Sequence, residues 1–182
     1  KKLLMRLDNV RSFYALYAPA TGESSSSTSG QGGNVSENHS PSQALDSWIL
    51  SRLGELIKET TEGYERYELD VATRPLSQFI DDLSTWYLRR SRERFKDGGD
   101  DTEQALATLK HVLVNTAKVM APVMPFFAES LYLAMRSESD TESVHLCEWP
   151  EAGKIDESLI QEMRQVRTLA SKGLELREKA GI

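Results

Sequence analysis

Residues 75–96 read PLSQFIDDLSTWYLRRSRERFK, and this stretch sets the fold class of the chain. Its apolar residues recur at three- and four-residue intervals, the spacing that places side chains on one face of an α-helix. We predict that these side chains, Trp86 included, lie in a core. They are Leu76, Phe79, Ile80, Leu83, Trp86 and Tyr87. A helix over the whole stretch would be roughly 33 Å long. The same periodicity returns along most of the chain, which predicts an all-α, antiparallel helix bundle.

Periodicity and composition divide the chain into four parts. Residues 1–17 are predicted to form a first helix that continues from a missing upstream domain. Residues 18–42 are rich in Ser and Gly and offer little apolar surface to offset the entropy cost of ordering, so they are predicted to be a flexible loop. Residues 43–150 are predicted to form the helix bundle, with a short extended strap at 143–150 that Trp149 anchors. Residues 151–182 are predicted to form a C-terminal helix that leads to a missing downstream region.

Local signals predict where individual helices begin and end. Asp70 or Thr73 is predicted to cap the helix that contains Pro75, because proline is tolerated only near a helix start. Residues 100–103, Asp-Asp-Thr-Glu, resemble a capping box that begins the next helix. That helix must end or bend at residues 121–125, where two prolines remove two backbone donors.

Composition limits the possible cellular compartments and classes of protein. The net charge is −6, 39% of the residues are hydrophobic and 27% are charged, a balance that suits a helical protein with wide wet faces. No apolar run approaches the roughly 20 residues needed to span a bilayer, so no membrane association is predicted. Cys147 is the only cysteine, which excludes an internal disulfide and indicates a reducing compartment. The predicted location is the cytoplasm.

No residue pattern in the chain predicts catalysis. His39, His111 and His145 lack spacing partners for a metal site, and one cysteine cannot supply a zinc knuckle. The sequence contains neither a Gly-x-Ser-x-Gly elbow nor a phosphate-binding P-loop. We therefore predict no catalytic residue, no metal ligand and no cofactor within this chain.

Residues 86–96 carry the pattern that points to a ligand. Five cations stand against one acid and are interleaved with aromatic residues, as a surface that tracks phosphates requires. At about 100° per residue, Arg89 and Arg92 point away from the apolar stripe and are predicted to contact phosphate. Arg90 and Arg94 fall on the stripe, so they are predicted either to pair with acids inside the bundle or to emerge past its end. An equally weighted alternative is a solvated cationic helix end that complements the helix dipole.

Four stretches resemble the anticodon-binding domain of class I aminoacyl-tRNA synthetases. Residues 45–53, LDSWILSRL, resemble the opening helix of that domain in the enzymes for Ile, Val and Leu. Residues 81–95, DDLSTWYLRRSRERF, resemble the isoleucyl enzyme in particular. Residues 120–129, MAPVMPFFAE, and residues 143–150, SVHLCEWP, resemble the two motifs that follow, in the same order. The chain is identified as similar to the anticodon-binding helical domain of the isoleucyl-tRNA synthetase family.

The resemblance implies an enzyme that activates isoleucine with ATP and Mg²⁺ in a catalytic domain and joins it to its tRNA. The catalytic signatures of the family, His-Ile-Gly-His and Lys-Met-Ser-Lys-Ser, are absent here, so this chain is expected to be a non-catalytic fragment. Its expected partners are isoleucine-specific tRNA, gripped near the anticodon arm, and the remaining domains of the enzyme. The residues expected to contact tRNA are Arg89, Arg92, Arg94, Lys96, Asn9 and Arg11.

Two alternatives stay open from the sequence. The same module could belong to a valyl- or leucyl-tRNA synthetase, although residues 81–87 favour the isoleucyl enzyme. A helical protein-interaction scaffold without an RNA role would also suit the acidic net charge and the predicted flexible loop.

Overall fold

The computed structural model describes residues 2–18 and 41–181. Within these ranges α-helix predominates and no β-strand occurs, which confirms the all-α prediction. Residues 19–40 of the predicted loop lie outside the described residues. In chain order the α-helices are α1 (Lys2–Tyr17), α2 (Pro41–Glu65), α3 (Leu69–Asp81), α4 (Leu88–Ser91), α5 (Arg94–Asp97), α6 (Asp100–Met120), α7 (Pro125–Met135) and α8 (Glu157–Ala180).

The core lies between α1, α2, α3 and α6, since α1 and α2 each pack against both α3 and α6, and α7 packs mainly against α6. The largest fully buried side chains come from these helices and from the turn that follows α3. They are Trp48, Tyr87, Phe79, Leu7, Ile49, Leu56, Leu76, Ile80, Leu83, Leu109, Leu113 and Met120. Burial of each large apolar side chain contributes about 1.5–3 kcal/mol, so packing of the helix faces is the main source of stability.

α2 and α3 form an antiparallel pair that is held close at one glycine. Gly63 of α2 is buried, and a Cβ atom on it would lie 2.6 Å from the backbone nitrogen of Ala72 in α3. Glycine is therefore required for the two backbones to approach this closely. The chain reverses at Tyr67, whose φ of 60° is in the left-handed region, and the Glu68 N–H donates to the Gly63 carbonyl at 2.9 Å. This arrangement is a Schellman-type helix end.

The predicted cap of α3 is wrong. The helix begins earlier than expected, with Glu68 at the N-cap position and no side-chain cap hydrogen bond. Asp70 and Thr73 both lie inside the helix, where the Thr73 hydroxyl donates to the Leu69 carbonyl at 2.8 Å. Pro75 is accommodated in the second turn. The connection that follows the Schellman-type end of α2 is short, so α3 already begins at Leu69, before Asp70 and Thr73.

The predicted capping box at the start of α6 is also wrong. Gly99 occupies the N-cap position, and its carbonyl accepts the N–H groups of Thr102 and Glu103 at 3.0 and 3.1 Å. The Thr102 hydroxyl donates instead to the Arg94 carbonyl at 2.5 Å. The acids of this first turn still complement the positive end of the helix dipole. The end of α6 at Met120, before the two prolines, is as predicted.

A π-helical turn interrupts the helix that defines the fold class. Asp82–Tyr87 form this turn between α3 and α4, and a π-turn holds one more residue than an α-turn. The buried stripe is therefore displaced by one position after the turn. Ser91 and Phe95 are buried where a regular helical period places Arg90 and Arg94. Arg90 is exposed, so of the two roles that the sequence allows it, pairing with acids inside the bundle does not apply.

The strap at residues 143–150 is anchored as predicted but is not extended throughout. Val144–Leu146 form a 3₁₀ turn, because the Ser143 side chain accepts a backbone N–H and closes it. Trp149 holds the strap on α2, where its indole N–H donates to the Thr61 hydroxyl at 2.8 Å. The chain then continues into α8.

α8 packs on the bundle through its first half only. Asp156 caps it by accepting the Leu159 N–H at 3.0 Å, and Ile160 is buried. Residues 171–181 are all exposed. None of the described helices is both long and apolar enough to span a membrane.

Candidate nucleic-acid interface

Arg94 lies inside the bundle rather than on its surface. Its guanidinium forms a two-point ion pair with Asp46 of α2, in which the Nη1–Oδ1 and Nη2–Oδ2 distances are both 2.9 Å. The two side chains are only 10% and 5% exposed. Asp101 of α6 accepts two further hydrogen bonds from Arg94, at 3.0 and 2.8 Å. These contacts, here named the Asp46 network, join α2, α5 and α6.

Tyr87 completes the Asp46 network from the π-helical turn. Its hydroxyl donates to Asp46 Oδ1 at 2.7 Å. Burial first, and the neighbouring Asp46 carboxylate second, raise the pKa of Tyr87 far above its ordinary value of about 10. The hydrogen bonds to Asp46 likewise raise the pKa of Arg94, so the guanidinium stays charged. The Asp46 network therefore combines a neutral phenol with an ionised pair.

These contacts remove Arg94 from the residues expected to touch tRNA. Pairing with acids inside the bundle is one of the two roles that the sequence allows this residue, and the structure shows that pairing. A phosphate would have to displace two carboxylates from a nearly buried guanidinium. The sequence could not name Asp46 as the partner, because 48 positions separate the two residues.

Arg89 and Arg92 are exposed, as their angular positions predict. In the described part of the chain neither forms an ion pair with a carboxylate. We name these two residues the outer arginines. Lys96 is also exposed, but its Nζ lies 3.0 Å from Oε1 of Glu93. The outer arginines can donate to phosphate oxygens without first breaking an ion pair.

The candidate residues of α1, Asn9 and Arg11, lie on different sides of that helix. The ring of Phe13 packs edge-on against Phe95 of α5 at 5.1 Å, so α1 runs beside the segment that carries the outer arginines. Arg11 is turned about 200° from Phe13 around the helix and donates to the Ser130 hydroxyl of α7 at 3.4 Å. The structure therefore does not bring Arg11 together with the outer arginines. Asn9 is exposed.

Trp86 borders the core from a half-buried position. Its indole N–H donates to the sulfur of Met163 in α8 at 3.1 Å. The guanidinium carbons of Arg90 and Arg167 lie 4.6 and 5.4 Å from the indole ring centre. Both distances are within the range of cation–π attraction. Trp86 therefore packs against the core and also makes cation–π contacts with Arg90 and Arg167.

A second ion cluster, centred on Asp82, is not evident from the sequence. Asp82 is 4% exposed and accepts hydrogen bonds from Arg52 at 3.1 Å and from Arg167 at 2.5 Å. The cluster ties α2 and α8 to the π-helical turn. The only sequence signal is the adjacent pair Asp81-Asp82, and helical periodicity does not link it to Arg167, which lies 85 positions further along the chain.

The two histidines among the described residues, His111 and His145, lie in different elements. His111 is in α6, where its Nε2 lies 3.2 Å from the side-chain nitrogen of Asn115. His145 lies in the 3₁₀ turn, and His39 lies outside the described residues. Across residues 2–18 and 41–181, no group of three or more His, Cys, Asp and Glu side chains is arranged to hold a metal ion.

The chain belongs to the family of anticodon-binding domains of tRNA ligases. The model of that family, described as "Anticodon-binding domain of tRNA ligase", matches residues 46–182. The chain is 38% identical to the isoleucine–tRNA ligase of Chlamydia trachomatis serovar L2 and 39% identical to that of serovar D, over 98% of this chain. It is 39% identical to the isoleucine–tRNA ligase of Thermobifida fusca over 100% of this chain. The chain spans 17% of the length of each of these relatives. The anticodon-binding domain predicted from the four stretches is thus confirmed.

Proposed function

We propose that this chain binds the anticodon arm of isoleucine-specific tRNA as one module of an isoleucine–tRNA ligase. The observation that carries the proposal is the pair of outer arginines, Arg89 and Arg92, exposed and without acid partners among the described residues of a chain whose net charge is −6. In an acidic protein, attraction to RNA must come from a local concentration of cations. The family membership supports RNA as the ligand.

The geometry supports a positioning role in tRNA binding. The Asp46 network holds the segment that carries the outer arginines against α2 and α6. A rigid support lowers the conformational entropy that is lost on binding. Each guanidinium offers planar donors that match phosphate oxygens in pairs. Such phosphate contacts would set the register of the RNA, while discrimination of identity would require base contacts.

Aminoacylation itself would take place outside these 182 residues. In the proposal, ATP and Mg²⁺ bind to a catalytic domain elsewhere in a cytoplasmic ligase, and the remaining domains are the protein partners of this module. Lys96 and Asn9 stay secondary candidates for tRNA contact. Arg11 is a weaker candidate, because it faces α7.

The binding of tRNA can be tested with a double variant of the outer arginines. Arg89→Gln/Arg92→Gln should weaken binding of isoleucine-specific tRNA at low salt by at least about tenfold, because two phosphate contacts are removed. A filter-binding titration of the 182-residue chain measures this. The matched control is Lys58→Gln/Arg66→Gln, which changes the net charge equally at the C-terminal end of α2, where both residues are exposed and form no ion pair among the described residues. The control should stay within about twofold of the parent chain.

Two outcomes would contradict the proposal. An equal loss in both double variants would show that only net charge matters. A parent chain that binds neither tRNA nor unrelated RNA at low salt would favour the alternative, a helical protein-interaction scaffold.

The isoleucine assignment rests on residues 81–95 and on the names of the relatives. It predicts that isoleucine-specific tRNA competes for the chain more effectively than valine- or leucine-specific tRNA. Equal competition by all three would count against isoleucine and would leave a general tRNA-binding domain of this family.

A further inference from the structure

Arg94 holds the bundle together through its ion pairs, whereas Arg90 forms no such contact with a described residue. Arg90 follows the π-helical turn at Asp82–Tyr87 and is exposed, with its guanidinium over the Trp86 ring. Turns of this kind are rare inside α-helices and are frequent at functional sites. Among the described residues Arg90 forms no ion pair with a carboxylate, so its charge is not compensated locally.

Trp86 holds the Arg90 guanidinium in a defined place. The guanidinium carbon lies 4.6 Å from the indole ring centre, and the indole is itself fixed by its hydrogen bond to Met163. This contact places the guanidinium over the ring, and no carboxylate among the described residues accepts its N–H donors. Arg90 is therefore pre-organised to donate to an anion, which lowers the entropy cost of binding one.

A groove of about 590 Å³ lies between α8 and the neighbouring faces of α2 and α3. Arg167 connects the two places, because it lines the groove and also lies 5.4 Å from the Trp86 ring centre. Arg167 itself is neutralised by Asp82. The groove thus begins beside the platform that carries Arg90.

The groove carries uncompensated positive charge. Each of the acids that line it has a basic partner. These pairs are Asp81 with Arg6, Asp82 with Arg52 and Arg167, and Glu175 with Lys179. Two further cations of the lining, Arg164 and Lys172, have no carboxylate partner in the described part of the chain. A groove with exposed cations and neutralised acids suits a polyanion such as an RNA backbone.

We propose that Arg90, held over the Trp86 ring, binds an RNA phosphate and that the RNA backbone continues from it into the groove to Arg164 and Lys172. Trp86 is a positioning residue in this arrangement. The inference rests on the proposed tRNA-binding function and extends its surface from the outer arginines to α8.

The salt dependence of tRNA binding to the 182-residue chain tests the proposal. Each phosphate contact contributes about 0.7–0.9 to the slope of log K against log salt. Arg90→Gln should reduce the slope by about one such contact, and Arg164→Gln/Lys172→Gln by about two. Trp86→Leu should lower the affinity several-fold, whereas Trp86→Phe, which keeps an aromatic face, should recover most of it. Arg66→Gln, at the α2–α3 turn, is the control and should leave the slope unchanged.

The outcomes separate this inference from the proposed function. If Arg89→Gln/Arg92→Gln weakens binding while Arg90→Gln and Arg164→Gln/Lys172→Gln keep the parent slope, the inference is overturned and the proposed function stands. If only Arg90→Gln changes the slope, the path into the groove is overturned. If the parent chain does not bind tRNA, both fail. Thermal unfolding of each variant, with a midpoint close to that of the parent, shows that a changed slope does not come from loss of the fold.

Discussion

Arg94 and the outer arginines lie within six positions of one another, yet the fold uses them in opposite ways. Arg94 is nearly buried and bound to two carboxylates, whereas Arg89 and Arg92 are exposed and have no ion-pair partner among the described residues. The difference arises because Arg94 is turned toward Asp46 of α2 and Asp101 of α6, whereas Arg89 and Arg92 are turned toward solvent. The number of basic residues in a segment therefore does not show how many of them are available to bind RNA.

The two regions also differ in what their charges do for stability. Removing Arg94 and Asp46 from water is costly, and the cost is offset only because the pair is bidentate and has further hydrogen bonds. The outer arginines lose little hydration in the folded chain and contribute little to its stability. Loss of stability and loss of tRNA binding should therefore separate between the two regions.

The largest effect is expected when the Asp46 network is broken. Asp46→Ala leaves a nearly buried guanidinium with only part of its partners, which should cost about 3–5 kcal/mol of unfolding free energy. For a chain of this size the unfolding midpoint should fall by roughly 10 °C. Thermal unfolding followed by circular dichroism measures the shift. A change below about 1 kcal/mol would show that the network does not hold the bundle.

A smaller effect on stability is expected from substituting two glycines, one tightly packed against its neighbours and one with open space around it. Gly63→Ala places a Cβ atom 2.6 to 2.8 Å from three atoms of Ala72 and should cost about 2 kcal/mol. Gly173→Ala in α8, where a Cβ meets nothing within 4 Å, should gain about 0.5–1 kcal/mol from helix propensity. Chemical denaturation of both variants tests the contrast, and effects of the same sign would contradict it.

The next effect depends on pH. Tyr87→Phe removes a hydrogen bond to an ionised carboxylate and should cost about 1.5 kcal/mol at neutral pH. The pKa of Tyr87 is raised in the folded chain, so above pH 10 the unfolded chain releases this proton and the folded chain retains it. Stability of the parent chain should therefore fall as the pH rises above about 10, with Tyr87 contributing up to about 1.4 kcal/mol per pH unit.

Urea unfolding between pH 8 and 11 should show a shallower alkaline decline for Tyr87→Phe than for the parent. The difference in slope should approach one proton. Parallel declines would indicate that the phenol ionises equally in both states, which contradicts its burial beside Asp46.

The smallest effect on stability is expected at the outer arginines. Arg89→Gln/Arg92→Gln should change the free energy of unfolding by no more than about 0.5 kcal/mol, because exposed side chains without partners contribute little. A loss of more than about 1 kcal/mol would place these residues in the structural region and would weaken their assignment to RNA.

Much of the helical framework is predictable from apolar spacing and prolines. The stripe from Leu76 to Leu83, the break before Pro122 and the exposure of the outer arginines all follow from regular helix geometry. The π-helical turn is not predictable in this way, because a 3.6-residue period assumes an unbroken helix. That assumption places Arg90 on the apolar stripe, so it does not predict the contact between Arg90 and the Trp86 ring.

Ion pairs between residues far apart in the chain are also not predictable from the sequence. The likelihood that Arg94 pairs with an acid is readable from its helix phase, but Asp46 and Asp101 become its partners only through the packing of α2 and α6. The cluster around Asp82 likewise depends on how α8 returns to the bundle. Helix caps fail for a related reason, since the short α2–α3 turn and Gly99 place the helix starts.

The most direct test of the central claim is to map which end of the bundle lies against the RNA. In a Cys147→Ser background, an iron chelate that generates hydroxyl radicals is attached to a single cysteine. Glu93→Cys places the chelate between the outer arginines and Lys96, and Glu65→Cys places it roughly 28 Å from Asp46 along α2. Both glutamates are exposed. The account predicts cleavage of bound tRNA in the anticodon arm from Glu93→Cys and little cleavage from Glu65→Cys. Cleavage from Glu65→Cys alone, or equal cleavage from both, would contradict it.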